Sequence, residues 1–145
     1  MNKYEALATW VKDNYESVNG WIFFNASTME DGNSSIQTME SERAEATYND
    51  GSTEVAFLFA IALIRSYDTE MSTLNTDAMA EADDFANWIE AQNTLDNLPV
   101  LGDNEVVNSV EVLDSVPSVA VDAEQNLAKI QFNCRLNFLR RSKNV

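Results

Sequence analysis

The last third of the chain contains the pattern that most constrains the fold. From Ala128 to Phe138 every second residue is apolar, and the residues between are Lys129, Gln131, Asn133, Arg135 and Asn137. Successive side chains of a β-strand point to opposite faces of its sheet. The alternation therefore predicts an antiparallel strand with one buried face and one face in water. Cys134 belongs to the apolar set, so we predict an inert core thiol rather than a nucleophile.

A second strand is predicted over Thr53–Arg65, where both alternating sets of residues are apolar. A strand of this kind is covered on both sides and lies at the centre of a sheet. One of its faces is rich in alanine (Ala56, Ala60 and Ala62). The simpler interpretation is that more of the same chain covers this face. The alternative is that the small side chains accept a neighbouring subunit.

Two amphipathic helices are predicted. The first spans about residues 3–17, where Asn2 and Glu5 form a variant of the capping box. The second spans Asp77–Gln92 and has an apolar stripe that includes Phe85. Its opposite side carries Asp77, Glu81, Asp84 and Trp88. We expect Trp88 either beneath the loop at residues 95–99 or exposed as an anchor for a partner, because Trp is enriched at interface hot spots.

Shorter elements complete the prediction. Strands are expected at Trp21–Phe24, once or twice within Ile36–Tyr48, and at Val106–Val116 and Val119–Val121, with a loop at Asn25–Ser35 and a hairpin turn at Asn49–Gly51. The order of elements indicates an α+β fold, a mainly antiparallel sheet with two principal helices packed on it. We predict one domain over residues 1–139 and a basic C-terminal tail over residues 140–145.

Charge is strongly separated along the chain. Residues 66–126 contain 14 of the 24 carboxylates and no Lys or Arg, whereas residues 127–145 contain five cations and no acid. Charge of this kind bears on association and solubility more than on fold. An acidic surface repels nucleic acid, and a small basic patch can dock on the acidic surface of an identical copy. The basic end and Trp88 give our candidate subunit interface, which is Trp88, Arg135, Arg140, Arg141 and Lys143.

The composition argues against enzymatic chemistry. The chain has no His and a single Cys, so the commonest general base and the commonest metal ligand are missing. Its carboxylates lack the spacing of a calcium loop, and Asp83 and Asp84 diverge on their helix. We expect no catalytic residues, no cofactor and no metal. The first ten residues lack the apolar core of a signal peptide, and Val55–Ile64 is half a membrane span, so we expect a cytoplasmic protein that does not enter a membrane.

Residues 83–101, DDFANWIEAQNTLDNLPVL, resemble the small minor capsid proteins of siphophages of Gram-positive bacteria, a family grouped with tail terminators. The similarity extends, in matching order, over approximately residues 45–138. It includes the segments at Asp50–Ser52, Ile64–Tyr67, Asn108–Leu113 and Ala128–Phe132. The resemblance implies an α+β subunit of a hexameric ring that caps the tail tube, joins it to the head, and lets DNA pass through its bore.

The resemblance further implies a virion protein at the head–tail junction, assembled in the cytoplasm of a bacterial host. Its expected partners are other copies of itself, the tail tube protein and head–tail connector proteins, without sequence-specific contact to nucleic acid. An acid-rich lumen repels phosphate, so we expect Asp77, Glu81 and Asp84 at the lumen or rim. The alternatives are a head-side connector and an acidic DNA mimic that inhibits a host nuclease, with a carboxylate-based hydrolase last.

Overall fold

The computed structural model describes residues 2–14, 22–24, 34–39, 42–66, 72–114, 117–122, 124 and 126–141. Two helices are present, α1 at Lys3–Asn14 and α2 at Ser72–Thr94. The strands are β1 at Ile22–Phe24, β2 at Ser34–Thr38, β3 at Arg43–Thr47, β4 at Thr53–Ser66, β5 at Glu105–Val112, β6 at Ser118–Asp122 and β7 at Leu127–Arg140. The predicted α+β fold, with two helices and a mainly antiparallel sheet, is confirmed.

The sheet is organised around its two longest strands. β4 and β7 each have 14 residues and pair antiparallel over their whole length, from Thr53 opposite Arg140 to Ser66 opposite Leu127. On the outer side of β4, β2 pairs with its C-terminal part and β3 with its N-terminal part. On the outer side of β7, β5 and β6 likewise lie end to end. β1 pairs with β2 in the one parallel ladder among the described strands.

Both helices contribute to a core on one face of the sheet, which we call the helix face. The odd-numbered residues of β4 and the even-numbered residues of β7 are buried there with Leu7 and Trp10 of α1 and with Phe85 and Ile89 of α2. Phe85 contacts Phe132 of β7 edge to face, with ring centroids 5.8 Å apart. The alternation that predicted β7 is thus explained, because its even positions enter this apolar core.

The opposite face of the sheet, the back face, is covered differently. Ala56, Ala60 and Ala62 of β4 are fully buried there, but they lie outside the apolar core of the helix face. Lys129 of β7 donates from Nζ to Oε1 of Gln37 on β2 at 3.4 Å. Because β2 and β7 flank β4, this hydrogen bond passes over the row of alanines. The back face is therefore covered at least partly by long side chains of the same subunit, as the simpler interpretation expected.

Local signals read from the sequence are largely confirmed. The main-chain N–H of Glu5 donates to Oδ1 of Asn2 at 2.8 Å, and Asn2 Nδ2 donates to the Glu5 carboxylate at 2.9 Å. This is a variant of the capping box in which the second bond comes from the Asn2 side chain instead of its main-chain N–H. The turn before β4 places Gly51 at φ 88°, and the N–H of Tyr48 donates to the carbonyl of Ser52. A positive φ is readily adopted by glycine, so this residue allows the hairpin.

Several boundaries and pairings differ from the prediction. β2 begins at Ser34, inside the expected loop, whose residues 25–33 lie outside the described part, as do residues 15–17 of the first predicted helix. α2 runs from Ser72 to Thr94, longer at both ends than predicted. β2 and β3 do not pair with each other, and neither do β5 and β6, because each pair shares one long neighbouring strand. Neither helix combines the length and hydrophobicity that crossing a bilayer requires, for the residues that the structure describes.

Candidate functional site

The outer side of α2 forms a continuous acidic surface. Asp77, Asp83, Asp84 and Glu90 are exposed along it, and the helix contains no Lys or Arg. At 1.5 Å per residue these carboxylates extend over about 20 Å. Asp77 and Asp84 therefore face solvent as the sequence predicted, while their place in a lumen or rim remains a prediction. The four acids form two strips about 100° apart around the helix, Asp77 with Asp84 and Asp83 with Glu90. Carboxylates that no cation of the described residues neutralises repel the phosphates of a nucleic acid.

Glu81, which was expected at the lumen or rim with Asp77 and Asp84, is paired inside the subunit. Arg65 continues the core-facing residues of β4 and is only 8% exposed. Its Nε and Nη2 atoms each donate to one carboxylate oxygen of Glu81 at 2.6 Å. A buried guanidinium at the end of β4 requires a charged partner, so the Glu81 carboxylate pairs within its own subunit, while its place at a lumen or rim stays a prediction. The bidentate pair fixes α2 against the sheet.

Trp88 packs between the two helices. Its ring lies 4.8 Å from that of Trp10 on α1 and 5.9 Å from that of Phe85, and the residue is half-buried. It follows Phe85 by three positions, so it flanks the apolar stripe of α2 instead of opposing it. The half-buried Trp88 thus packs within the subunit, and its place in a subunit interface stays a prediction. The loop after α2 is contacted by Trp10, whose Nε1 donates to the carbonyl of Asn97 at 2.8 Å.

Arg140, expected in a solvated tail or a subunit interface, ends β7 and joins an ion-pair network. Its guanidinium contacts Glu42 at 2.8 Å and Glu105 at 2.9 Å, and Glu42 also accepts from Lys3 Nζ at 2.6 Å. The network connects α1, the start of β3, the start of β5 and the end of β7. Arg140 therefore belongs to the folded domain, one residue beyond the predicted boundary at 139. Its cation has carboxylate partners within its own subunit.

The network changes the titration of its members. Burial opposes ionisation of Glu42, but hydrogen bonds from Lys3 and Arg140 outweigh it, so the pKa of this carboxyl lies below its usual value. The hydrogen bond to Glu42 in turn raises the pKa of Arg140. Ionised Glu42 is therefore favoured in the folded state, and the network is complete at neutral pH.

The remaining predicted interface cations are distributed over two places. Arg135 lies on the back face and contacts Glu111 of β5 at 2.5 Å. Arg141 is exposed, and its main-chain N–H donates to the carbonyl of Asn104 at 2.7 Å. Lys143 lies outside the described residues. The structure thus separates Arg135 on the back face from Arg140 at the end of the helix face, and it does not gather the basic residues into one patch.

The thiol of Cys134 and the acidic clusters are consistent with a structural role. Cys134 is fully buried, and desolvation raises the pKa of its thiol far above the usual range, so the predicted core thiol is confirmed. Within the described ranges, no three side chains of Cys, Asp or Glu converge in a way that could hold a metal ion.

Comparison with known proteins identifies no relative of this chain. Neither models of known protein families nor the curated proteins match the sequence.

One structural feature of the surface has no signal in the sequence. The side chain of Asn93 on α2 pairs with the outer main-chain edge of β5, donating to the carbonyl of Val110 at 2.6 Å and accepting from its N–H at 2.9 Å. Glu90 accepts from the N–H of Val112 at 3.4 Å. An Asn in an amphipathic helix gives no indication of such a distant partner. These two side chains close part of a sheet edge that would otherwise be free.

Proposed function

We propose that this protein is a structural component of a bacteriophage virion, a tail terminator that forms a hexameric ring, caps the tail tube and joins it to the head. The observation that carries the proposal is the uncompensated acidic outer side of α2. The resemblance of residues 83–101, which comprise the second half of this helix and the following loop, supports the same assignment.

The acidic surface gives the ring a physical mechanism. DNA that passes through a bore must not adhere to the wall, and carboxylates repel phosphates at the range of the Debye length, about 8–10 Å at physiological salt. In this proposal Asp77, Asp83, Asp84 and Glu90 form or border the DNA path. The protein holds no catalytic or cofactor role, and its partners are identical copies, the tube protein and connector proteins at the head–tail junction.

The mass of the protein in solution tests the proposal. We expect size-exclusion chromatography with light scattering, at low and high salt, to give a hexamer or a salt-dependent equilibrium between monomer and hexamer. Negative-stain electron microscopy of the larger species should show rings with an open centre. A protein that stays monomeric at every salt and concentration, alone and with tail tubes, would contradict the assignment.

A DNA-mimic inhibitor of a host nuclease is the second candidate, favoured by one observation. A cationic C-terminal end would weaken mimicry of DNA, but Arg140 is held among Glu42 and Glu105, so its charge is neutralised locally. The row on α2 would then occupy the DNA groove of the nuclease. Stoichiometric inhibition of a DNA nuclease, lost when Asp83 and Asp84 are both changed to Asn, would favour this candidate over the ring.

A further inference from the structure

The sheet edge beside β7 has two unequal halves. At β5, Asn93 and Glu90 of α2 bond to the main chain at Val110 and Val112. At β6, no strand of the described part pairs with the outer edge of Ser118–Val121. An open strand edge is a template for pairing with another chain. Among the described residues, one half of this edge is closed by side chains of α2 and the other half has no paired strand.

The composition of β6 suits such pairing. Its sequence, Ser-Val-Ala-Val-Asp, is rich in β-branched residues and has no Lys or Pro to block an incoming strand. Ser118, Ala120 and Val121 are exposed, and Val121 is 43% exposed. The acidic residues Asp122 and Glu124 follow at its C-terminal end.

The opposite side of the sheet offers a second open edge of the same length. β3 is also five residues long and pairs with β4 on one side, while four of its five residues are exposed. Arg43 begins the strand, and its side chain is 58% exposed, in contact with Glu45 at 3.1 Å. Open edges on opposite sides of one sheet, one ending in acids and the other beginning with a cation, are complementary.

We infer that the edge of β6 binds a second copy of this chain, by antiparallel pairing with the edge of β3 in the neighbouring subunit. The inference rests on the proposed ring function, since it names the subunit contact of that ring. The contact is heterologous, which means that one patch meets a different patch, as closed rings and open filaments require.

The register follows from matching the two faces. Asp122 lies on the back face, opposite Leu127, and Arg43 lies on the back face, opposite Ala56. Placing Asp122 opposite Arg43 of the neighbour brings unlike charges together and sets Val121 opposite Ala44. Both Val121 and Ala44 lie on the helix face, since they pair with Ala128 and Val55. Each side of the joint sheet thus stays continuous at these two pairs. The β-bulge between Ala44 and Ala46 ends this register, because Ala46 pairs with Glu54 and lies on the back face, whereas Val119 lies on the helix face.

The strand directions also agree with a ring. β6 runs parallel to β4 and antiparallel to β3 of its own subunit, so antiparallel pairing with the neighbouring β3 keeps every copy in the same orientation. β6 pairs with the part of β7 that lies level with the end of β4, whereas β3 pairs with the beginning of β4. Each β6–β3 contact therefore displaces the next subunit along the strand direction. Closed sheets require such a shift, because their strands tilt against the axis of closure.

A lysine on the edge of β6 tests the contact. Val121→Lys adds a charged side chain of the kind that blocks edge pairing, and we expect assembly to be lost in light scattering at concentrations where the unmodified protein assembles. Val106→Lys is the matched control, because Val106 is a 42% exposed valine on the other half of the same edge. Thermal unfolding must show that both variants remain folded. Retained assembly of Val121→Lys, or equal loss in both variants, would overturn the inference.

Charge reversal distinguishes this contact from any other. Arg43→Asp places two acids opposite each other and Asp122→Arg places two cations opposite each other, so each variant alone should assemble roughly tenfold more weakly. A one-to-one mixture restores unlike charges at every contact of an alternating ring, so we expect assembly to return. Pairing of β6 with β6 would leave Arg43→Asp unaffected, and failure of the mixture to assemble would also refute the β6–β3 contact.

The outcomes separate this inference from the ring itself. A hexamer that is unaffected by Val121→Lys, Arg43→Asp and Asp122→Arg keeps the proposed function and refutes the contact. A dimer or filament that these changes dissociate, with recovery in the mixture, supports the contact and refutes the hexameric ring. A chain that never assembles overturns both.

Discussion

The two faces of β4 are both buried, but by different means. On the helix face, Phe57 and Phe59 of β4 pack with aromatic and aliphatic residues of both helices and of β7. On the back face, alanines are covered partly by Lys129 and Gln37, whose polar ends meet above them. The free energy gained by burying apolar side chains scales with the area removed from water, whereas exposed polar contacts contribute little to the free energy of folding. The two faces of a strand can therefore be equally buried and still contribute unequally to stability.

The largest effect is expected from truncation on the helix face. Phe132→Ala removes a fully buried ring that contacts Phe85, and should lower the free energy of unfolding by about 3–5 kcal/mol. Urea denaturation measures the change. Asn133→Ala is the control, since Asn133 is the next residue of β7 and points to the back face; a loss above about 1.5 kcal/mol there would contradict the contrast between the faces.

A smaller loss is expected at the ion pair that fixes α2 to the sheet. Glu81→Gln leaves the guanidinium of Arg65 nearly buried without its carboxylate, and should destabilise the protein by about 1–3 kcal/mol. Asp84→Asn removes an exposed acid one turn later on the same helix and should change stability by less than about 0.5 kcal/mol. Equal effects of the two changes in chemical denaturation would show that the Arg65 pair is unimportant.

The network at Glu42 should make stability depend on pH. The pKa of Glu42 is lowered in the folded state, so its contribution is present above the ordinary glutamate value of about 4.3 and is lost as pH falls through the lower folded pKa. Because the group is partly exposed, Glu42→Gln should reduce stability at pH 7 by only about 0.5–1 kcal/mol. Denaturation curves of the two proteins should converge as the pH falls below the folded pKa of Glu42. A difference that is constant with pH would exclude this titration.

The smallest effect is expected on the back face. Lys129→Ala removes the bridge to Gln37, whose hydrogen bond at 3.4 Å is long, and should lower the unfolding free energy by less than about 0.5 kcal/mol. Thermal unfolding measures this change against Phe132→Ala. A loss comparable to that of the phenylalanine would mean that the lysine stem covers far more apolar surface than its hydrogen bond suggests.

Periodicity in the sequence predicted the main elements because it reflects direct contact with the core. The alternation in β7, the fully apolar β4 and the capping box before α1 are all local patterns, and all three are confirmed. The edge partners of these strands were not predicted. β3 pairs with β4 and β5 pairs with β7. Which strands pair depends on contacts between segments that are distant in sequence, and a local pattern does not predict such contacts.

The candidate surfaces were predicted less well, for a related reason. Charged residues were assigned to the surface by type, yet Arg65 lies in the core-facing series of β4 and determines the position of Glu81. Arg65 could have indicated this pair from the sequence, because a cation in an otherwise apolar series requires an acidic partner. Arg140 had no such signal, since its carboxylates at Glu42 and Glu105 are distant in sequence. Asp77 and Asp84 are exposed as expected, because no cation of the described residues pairs with them, and their place at a lumen or rim stays a prediction.

The central position of β7 determines when the protein can fold. β4, β5 and β6 all pair with β7, which is the last of the described strands to leave the ribosome. Until then the nascent chain contains a long apolar strand without its principal neighbour, together with two edge strands that have nothing to join. Such a topology has a high contact order, which slows folding and exposes the chain to aggregation. Folding should therefore be completed in one late, cooperative step, and a chaperone would act most usefully just before that strand is synthesised.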